Sequence, residues 1–109
     1  MSRTDQEIAQ NALDHISVLR SHLTRGDLSD QTIADAVSLR LAAAIEAIAQ
    51  GSEALRERLF DGEWHVVWAT RNRIAHAYTY IDHGIIAATV ANDLPALETA
   101  LAREIARPD

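Results

Sequence analysis

The sequence contains no cysteine and no lysine, only two prolines and four glycines, and aromatic residues fill just 5% of its 109 positions. Without cysteine there is no disulfide framework, thiol nucleophile or thiolate metal site, and nothing argues for secretion; a reducing cytosol suits the chain. Without lysine, all ten basic residues are arginine, so the flexible ammonium carpet of a generic phosphate-backbone binder is missing. The formal charge of −6 points the same way. The opening Met-Ser-Arg-Thr-Asp-Gln-Glu has no apolar signal core, and no apolar run approaches the roughly 20 residues of a membrane span. The expectation is a soluble, cytoplasmic protein with no membrane partner. At this length it is one domain, over residues 1–109.

What is present is alanine, leucine and isoleucine at three- and four-residue spacing, which reads as all-helical. Thr4 with Glu7 forms a capping-box start, and Ile8, Ala12, Ile16, Leu19 and Leu23 make one stripe, so a first helix is expected over about 5–25 with Gly26 as a left-handed stop. Ser29 or Asp30 caps a second, striped by Ile33, Val37, Leu41, Ala44, Ile45 and Ile48 and ending near Gly51. Ser52 caps a short third helix with Leu55, Leu59 and Phe60, broken by Asp61-Gly62. A fourth is expected from about 63 to 80. Asp82 caps a fifth, from about 83, with a kink or break at Pro95 because proline removes a helical hydrogen bond and disfavours the helical conformation of Leu94. The fold class is therefore all-α: a small antiparallel bundle of four longer helices and one short one. Architecture alone names no function.

One segment departs from the acidic background. Residues 64–81 hold both tryptophans, both tyrosines, two of the five histidines, Arg71 and Arg73, and no acid, so they carry +2 and leave −8 on the other 91 residues. A guanidinium can hold two phosphate oxygens, a histidine moves protons near neutral pH, and a tyrosine hydroxyl can bond or be modified. At 100° per residue, however, His76 lies about 140° from Arg71 and about 40° from Asn72. Either the helix unwinds after His76, or a second copy completes the site across a two-fold interface. Trp64 and Trp68, four apart, either offer rings on which a ligand could stack or fill the core or a dimer interface. His15 and His22 share a face but lack a third metal ligand, so no metal site is expected. Glu46, in a helix otherwise lined with alanine and isoleucine, either reaches the site of Arg71 and His76 or snorkels. The four glycines are too dispersed to cradle a phosphate, and no cofactor is expected.

Arg71-Asn72-Arg73-Ile74-Ala75-His76-Ala77-Tyr78 resembles the Arg-x(4 to 6)-His-x-Tyr motif of HepT-like toxins in the HEPN superfamily, including the polar residue directly after the arginine. The tryptophan region upstream, Ile81-Asp82, Leu94-Pro95-Ala96-Leu97 and the helical length fit the same family over roughly residues 30–106. One departure is Ile45-Glu46-Ala47-Ile48-Ala49-Gln50, where family members commonly read closer to Ile-Gly-Glu-Ala.

The resemblance implies a HEPN-like, dimeric helical domain acting as a metal-independent endoribonuclease and as the toxin of a toxin–antitoxin pair. RNA is the implied substrate, not DNA. Its catalytic residues would be Arg71, His76 and Asn72, with Arg73 and Tyr80 as candidate RNA contacts. The implied partner is a minimal nucleotidyltransferase (MNT-type) antitoxin that attaches AMP to the motif tyrosine, here Tyr78, within the homodimer or a larger hetero-oligomer. The alternative is a catalytically silent HEPN module that binds RNA, nucleotide or a nucleotidyltransferase. A purely structural dimerisation bundle is a third reading.

Overall fold

A computed structural model describes residues 4–77 and 82–108. Among them every regular element is helical: α1 (Asp5–Leu23), α2 (Gln31–Ala49), α3 (Glu53–Phe60), α4 (Trp64–Ala75), α5 (His83–Ala88) and α6 (Leu94–Ala106), the last two joined by a π-helical turn over Thr89–Asp93. Because α5, the π turn and α6 run on as one 24-residue helix, the count is the expected four longer helices and one short.

The helix starts follow from local polar side chains. Thr4 accepts the Glu7 N–H at 3.1 Å, Asp30 that of Thr32 at 2.8 Å, Ser52 that of Leu55 at 3.0 Å, and Asp82 those of Gly84 and Ile85. Each satisfies donors that a helix leaves unpaired in its first turn. At the other ends two expectations are corrected. Gly26 is not left-handed, and α1 closes on Thr24 in the ordinary right-handed region; Gly26 is instead confined by space, since a Cβ there would meet Ile33 Cγ1 at 3.1 Å. The fourth helix ends at Ala75 rather than near residue 80, with His76 as its C-cap. The break after α3 is as expected, with Asp61 at φ 46° and Gly62 at φ 86° turning the chain through the left-handed region.

Pro95 occupies the first turn of α6. A proline here leaves the preceding carbonyls without their usual donor, and the helix answers one turn earlier by widening: the Leu94 N–H bonds to Thr89 O, five residues back. The predicted kink is thus a π turn, and the helix continues through it.

The core lies between α1, α2 and the long C-terminal helix. Ala9, Ala12, Ile16 and Leu19 from α1 meet Val37, Leu41, Ala44, Ile45 and Ile48 from α2, with Ile86, Leu94 and Leu101 closing the third side. Ion pairs latch the edges, Arg20 Nη2 to Glu98 Oε1 at 2.5 Å and Arg58 to the nearly buried Glu104. His83–Ala106 is long and apolar enough, by length and composition, to cross a membrane, which corrects the expectation that no segment reaches that length. Here it packs along α1 and supplies core residues.

The fourth helix stands apart energetically. It contributes no fully buried side chain and leans on α2 and α3 through the half-buried Trp64, Val67, Trp68 and Ile74. These recur at helical spacing, and Arg71 falls on the same stripe. The one helix carrying the cationic motif is therefore the least enclosed of the four longer ones.

Candidate active site on the fourth helix

Because Arg71 shares the stripe that faces α2, its side chain reaches the C-terminal half of that helix and meets Glu46. Its Nε donates to Glu46 Oε1 at 2.7 Å, and its Nη2 lies 2.5 Å from the same oxygen. A third nitrogen, Nη1, donates to Asn72 Oδ1 at 3.1 Å. The guanidinium carbon sits 4.8 Å from the centroid of the Trp68 ring, close enough for a cation–π attraction worth about 0.5–1 kcal/mol at a partly exposed site. Only 26% of the Arg71 side chain is exposed, against 49% for Glu46. The cation is thus stacked, paired and oriented before any ligand arrives.

Trp68 belongs to an aromatic ladder running back along the chain. Trp64 and Trp68 rings are 5.8 Å apart, Phe60 and Trp64 5.7 Å, each pair tilted by about a third of a right angle. Arg56 lies over Trp64 at 5.6 Å and donates to Gly51 O at 2.6 Å. This ladder bridges the α3–α4 corner, giving α4 a fixed seat although none of its residues is fully buried. Both tryptophans are half-buried against the core, which favours the packing reading of them over base stacking.

His76 lies just past the last helical residue, with an exposed side chain and a backbone N–H that bonds to Asn72 O at 3.0 Å. Of the two geometric routes open from the sequence, the helix does end at this histidine. Asn72, expected to orient His76 or a phosphate, places its side-chain oxygen on Arg71. Arg73 points elsewhere, lining a hollow of about 180 Å3 with Thr70, Ile74, Ala77, Asp82, Ile85 and Ile86. The structure thus gathers Arg71 and Asn72 with Glu46 and Trp68, and separates Arg73 from them. Tyr78 and Tyr80 lie outside the described residues.

Other sequence candidates resolve differently. His15 Nδ1 is 3.2 Å from Arg40 Nη1, so a guanidinium already occupies that lone pair. Among the described residues no three histidine, aspartate or glutamate side chains gather as metal ligands. Glu46, whose place the sequence left open, is the acid that meets Arg71. Its signal was a lone acid in a run of alanine and isoleucine, but its partner is 25 positions away and visible only in three dimensions.

A model of the HepT-like ribonuclease family matches residues 9–104. The chain belongs to this family. Comparisons with curated proteins and with solved structures returned no match. For a HepT-like chain the all-helical fold follows, and the Arg71–His76 segment lies within the matched span.

Proposed function

We propose that this HepT-like chain is the toxin of a toxin–antitoxin pair: a metal-independent endoribonuclease, cytoplasmic and homodimeric, that cleaves RNA and spares DNA. The observation carrying this reading is the held guanidinium of Arg71, fixed by Glu46, Asn72 and Trp68 on a helix that ends at the exposed His76. In the cleavage, an RNA 2′-oxygen attacks the adjacent phosphorus as the bond to the 5′-oxygen breaks. The products are a 2′,3′-cyclic phosphate and a 5′-hydroxyl. His76 acts as general base or acid, taking the proton from the 2′-hydroxyl or giving one to the leaving 5′-oxygen, with solvent balancing the other transfer. Arg71 stabilises the charge that develops on the phosphate. Arg73 and Tyr80 are candidate contacts to flanking RNA. DNA has no 2′-hydroxyl, so the same site leaves it whole.

The homodimer is supported by the poor enclosure of α4 and by two large apolar side chains left open to solvent, Leu39 at 67% and Val66 at 50%. A second copy facing α4 would bring its own Arg71 and His76 to one cleft. The partner of this reading is a nucleotidyltransferase antitoxin, forming a larger hetero-oligomer and transferring AMP from ATP to the Tyr78 hydroxyl with release of pyrophosphate. The added phosphate and bulk would exclude RNA by repulsion and by volume.

The test is cleavage by the purified protein in EDTA. RNA is expected to give cyclic-phosphate ends, while the matched DNA survives. His76→Ala is expected to keep RNA binding and to lose cleavage by at least about 100-fold, in line with the usual contribution of a general acid or base. Cleavage that requires metal, or equal cutting of DNA, overturns the mechanism. RNA binding without any product supports the silent binding module instead.

A further inference from the structure

We propose that Glu46 is the positioning residue of this site, and that RNA reaches Arg71 only through the donors this carboxylate leaves unused. The inference rests on the ribonuclease reading and deepens it. A guanidinium has five N–H donors in a rigid planar fork. Glu46 takes the Nε donor on one oxygen and holds Nη2 against that same oxygen as an ion pair. Asn72 takes one from Nη1. The N–H groups on the terminal nitrogens that neither acceptor engages are left to meet whatever phosphate enters, while the Trp68 ring backs the guanidinium.

Without Glu46 the arginine has one hydrogen bond and one stacking contact, and its long side chain recovers rotamer freedom. A guanidinium that must be ordered by the reacting phosphate contributes less to the transition state than one ordered beforehand, and a misplacement near 1 Å can cost about 100-fold in rate. The carboxylate has a second effect of opposite sign. By neutralising Arg71 it weakens attraction to phosphate in the ground state, so binding and catalysis respond differently to its removal. That split separates positioning from mere structural support.

Glu46 is half exposed, and its replacement leaves the α2 core stripe intact. Three full-length proteins are compared: wild type, Glu46→Ala and Glu46→Gln. For each, kcat and KM on a single-stranded RNA are measured in EDTA, with affinity for the same RNA carrying uncleavable 2′-O-methyl groups and the melting temperature. Glu46→Ala is expected to lower kcat about 10- to 100-fold, while affinity for the uncleavable RNA stays equal or tightens and Tm stays within a few degrees. Glu46→Gln retains an acceptor oxygen for Nε and Nη2, and is expected to recover kcat to within about threefold of wild type with a lower KM. Equal kcat in wild type and Glu46→Ala, or no rescue by glutamine, overturns the positioning role. A rise in kcat for Glu46→Ala overturns it too, because the ion pair would then be a restraint. Failure of wild type to cut RNA is a distinct result: it removes the ribonuclease reading and this proposal with it.

Discussion

Ser38 is buried to 1% exposure in the middle of α2, and its hydroxyl has no hydrogen-bond partner among the described residues. A helical serine can bond back to the carbonyl one turn earlier, but this one does not, so it gives up water without replacing it. An unmade hydrogen bond of this kind costs about 1–3 kcal/mol, and removing the polar group altogether avoids that cost. Ser38→Ala is therefore expected to leave stability unchanged or raise it by up to about 1 kcal/mol, read as the urea midpoint at constant slope. A loss of more than about 1 kcal/mol would show that the hydroxyl finds a partner in solution. The contrast with Arg71 is instructive: that residue is charged and only partly buried, yet its guanidinium donates to Glu46 and to Asn72 and is ion-paired with the Glu46 carboxylate. Arg71 is thus held by its neighbours, whereas the Ser38 hydroxyl sits unmatched in the core of α2.

Elements in this chain are joined by a few polar bonds at helix ends, and one of them titrates. Asp5, in the first turn of α1, accepts both the N–H of Ser52 at 3.0 Å and its hydroxyl at 2.6 Å, tying the start of α1 to the cap of α3. Arg58 lies 3.6 Å away. These bonds, the Ser52 hydroxyl first, hold the Asp5 carboxyl below its ordinary value. A lowered folded-state pKa means that the contribution to stability is present above about pH 4 and is lost as pH falls through the folded value. The site is open to solvent, so its weight is at most about 1 kcal/mol. Urea midpoints of wild type and Asp5→Asn are expected to differ at pH 6 and to draw together as pH falls below the ordinary carboxylate range; a gap that stays constant as the carboxyl is protonated would refute the linkage. The same locality explains what the sequence made legible. Thr4, Asp30, Ser52 and Asp82 are readable as caps because a side chain bonds to a backbone N–H two or three residues on, within one local window. The left-handed turn at Asp61-Gly62 is readable for the same reason. Gly26 was misread because its constraint is Ile33, a packing partner seven residues away, and the Glu46–Arg71 pair spans two helices. The end of α4 at Ala75 was missed because the apolar and aromatic residues beyond it continue the helical pattern.

Over the whole molecule, the −6 charge surrounds a cation that Glu46 already compensates, which leaves Arg73 as the motif's arginine with no ion pair among the described residues. RNA binding at such a site is expected to be weak, local and only modestly salt-dependent, since few phosphates can be neutralised. A single copy also presents its motif on a helix with no fully buried residue, and His76 leaves that helix at its end, about 140° around the axis from Arg71. If one subunit supplies the arginine and its partner the histidine, two inactive variants can rescue each other. A dimer of Arg71→Ala with His76→Ala contains one site with neither residue and one with both. Random exchange makes half of the dimers mixed, each with one of two sites intact, so an equimolar mixture is expected to recover about a quarter of wild-type cleavage. Each variant alone should stay below about 1%. Recovery should require subunit exchange, appearing after mild denaturation and refolding together and not after simple mixing of stable dimers. If co-refolded dimers, confirmed as mixed by mass, remain inactive, Arg71 and His76 act within one chain, and the turn at His76 must swing the ring toward Arg71 instead.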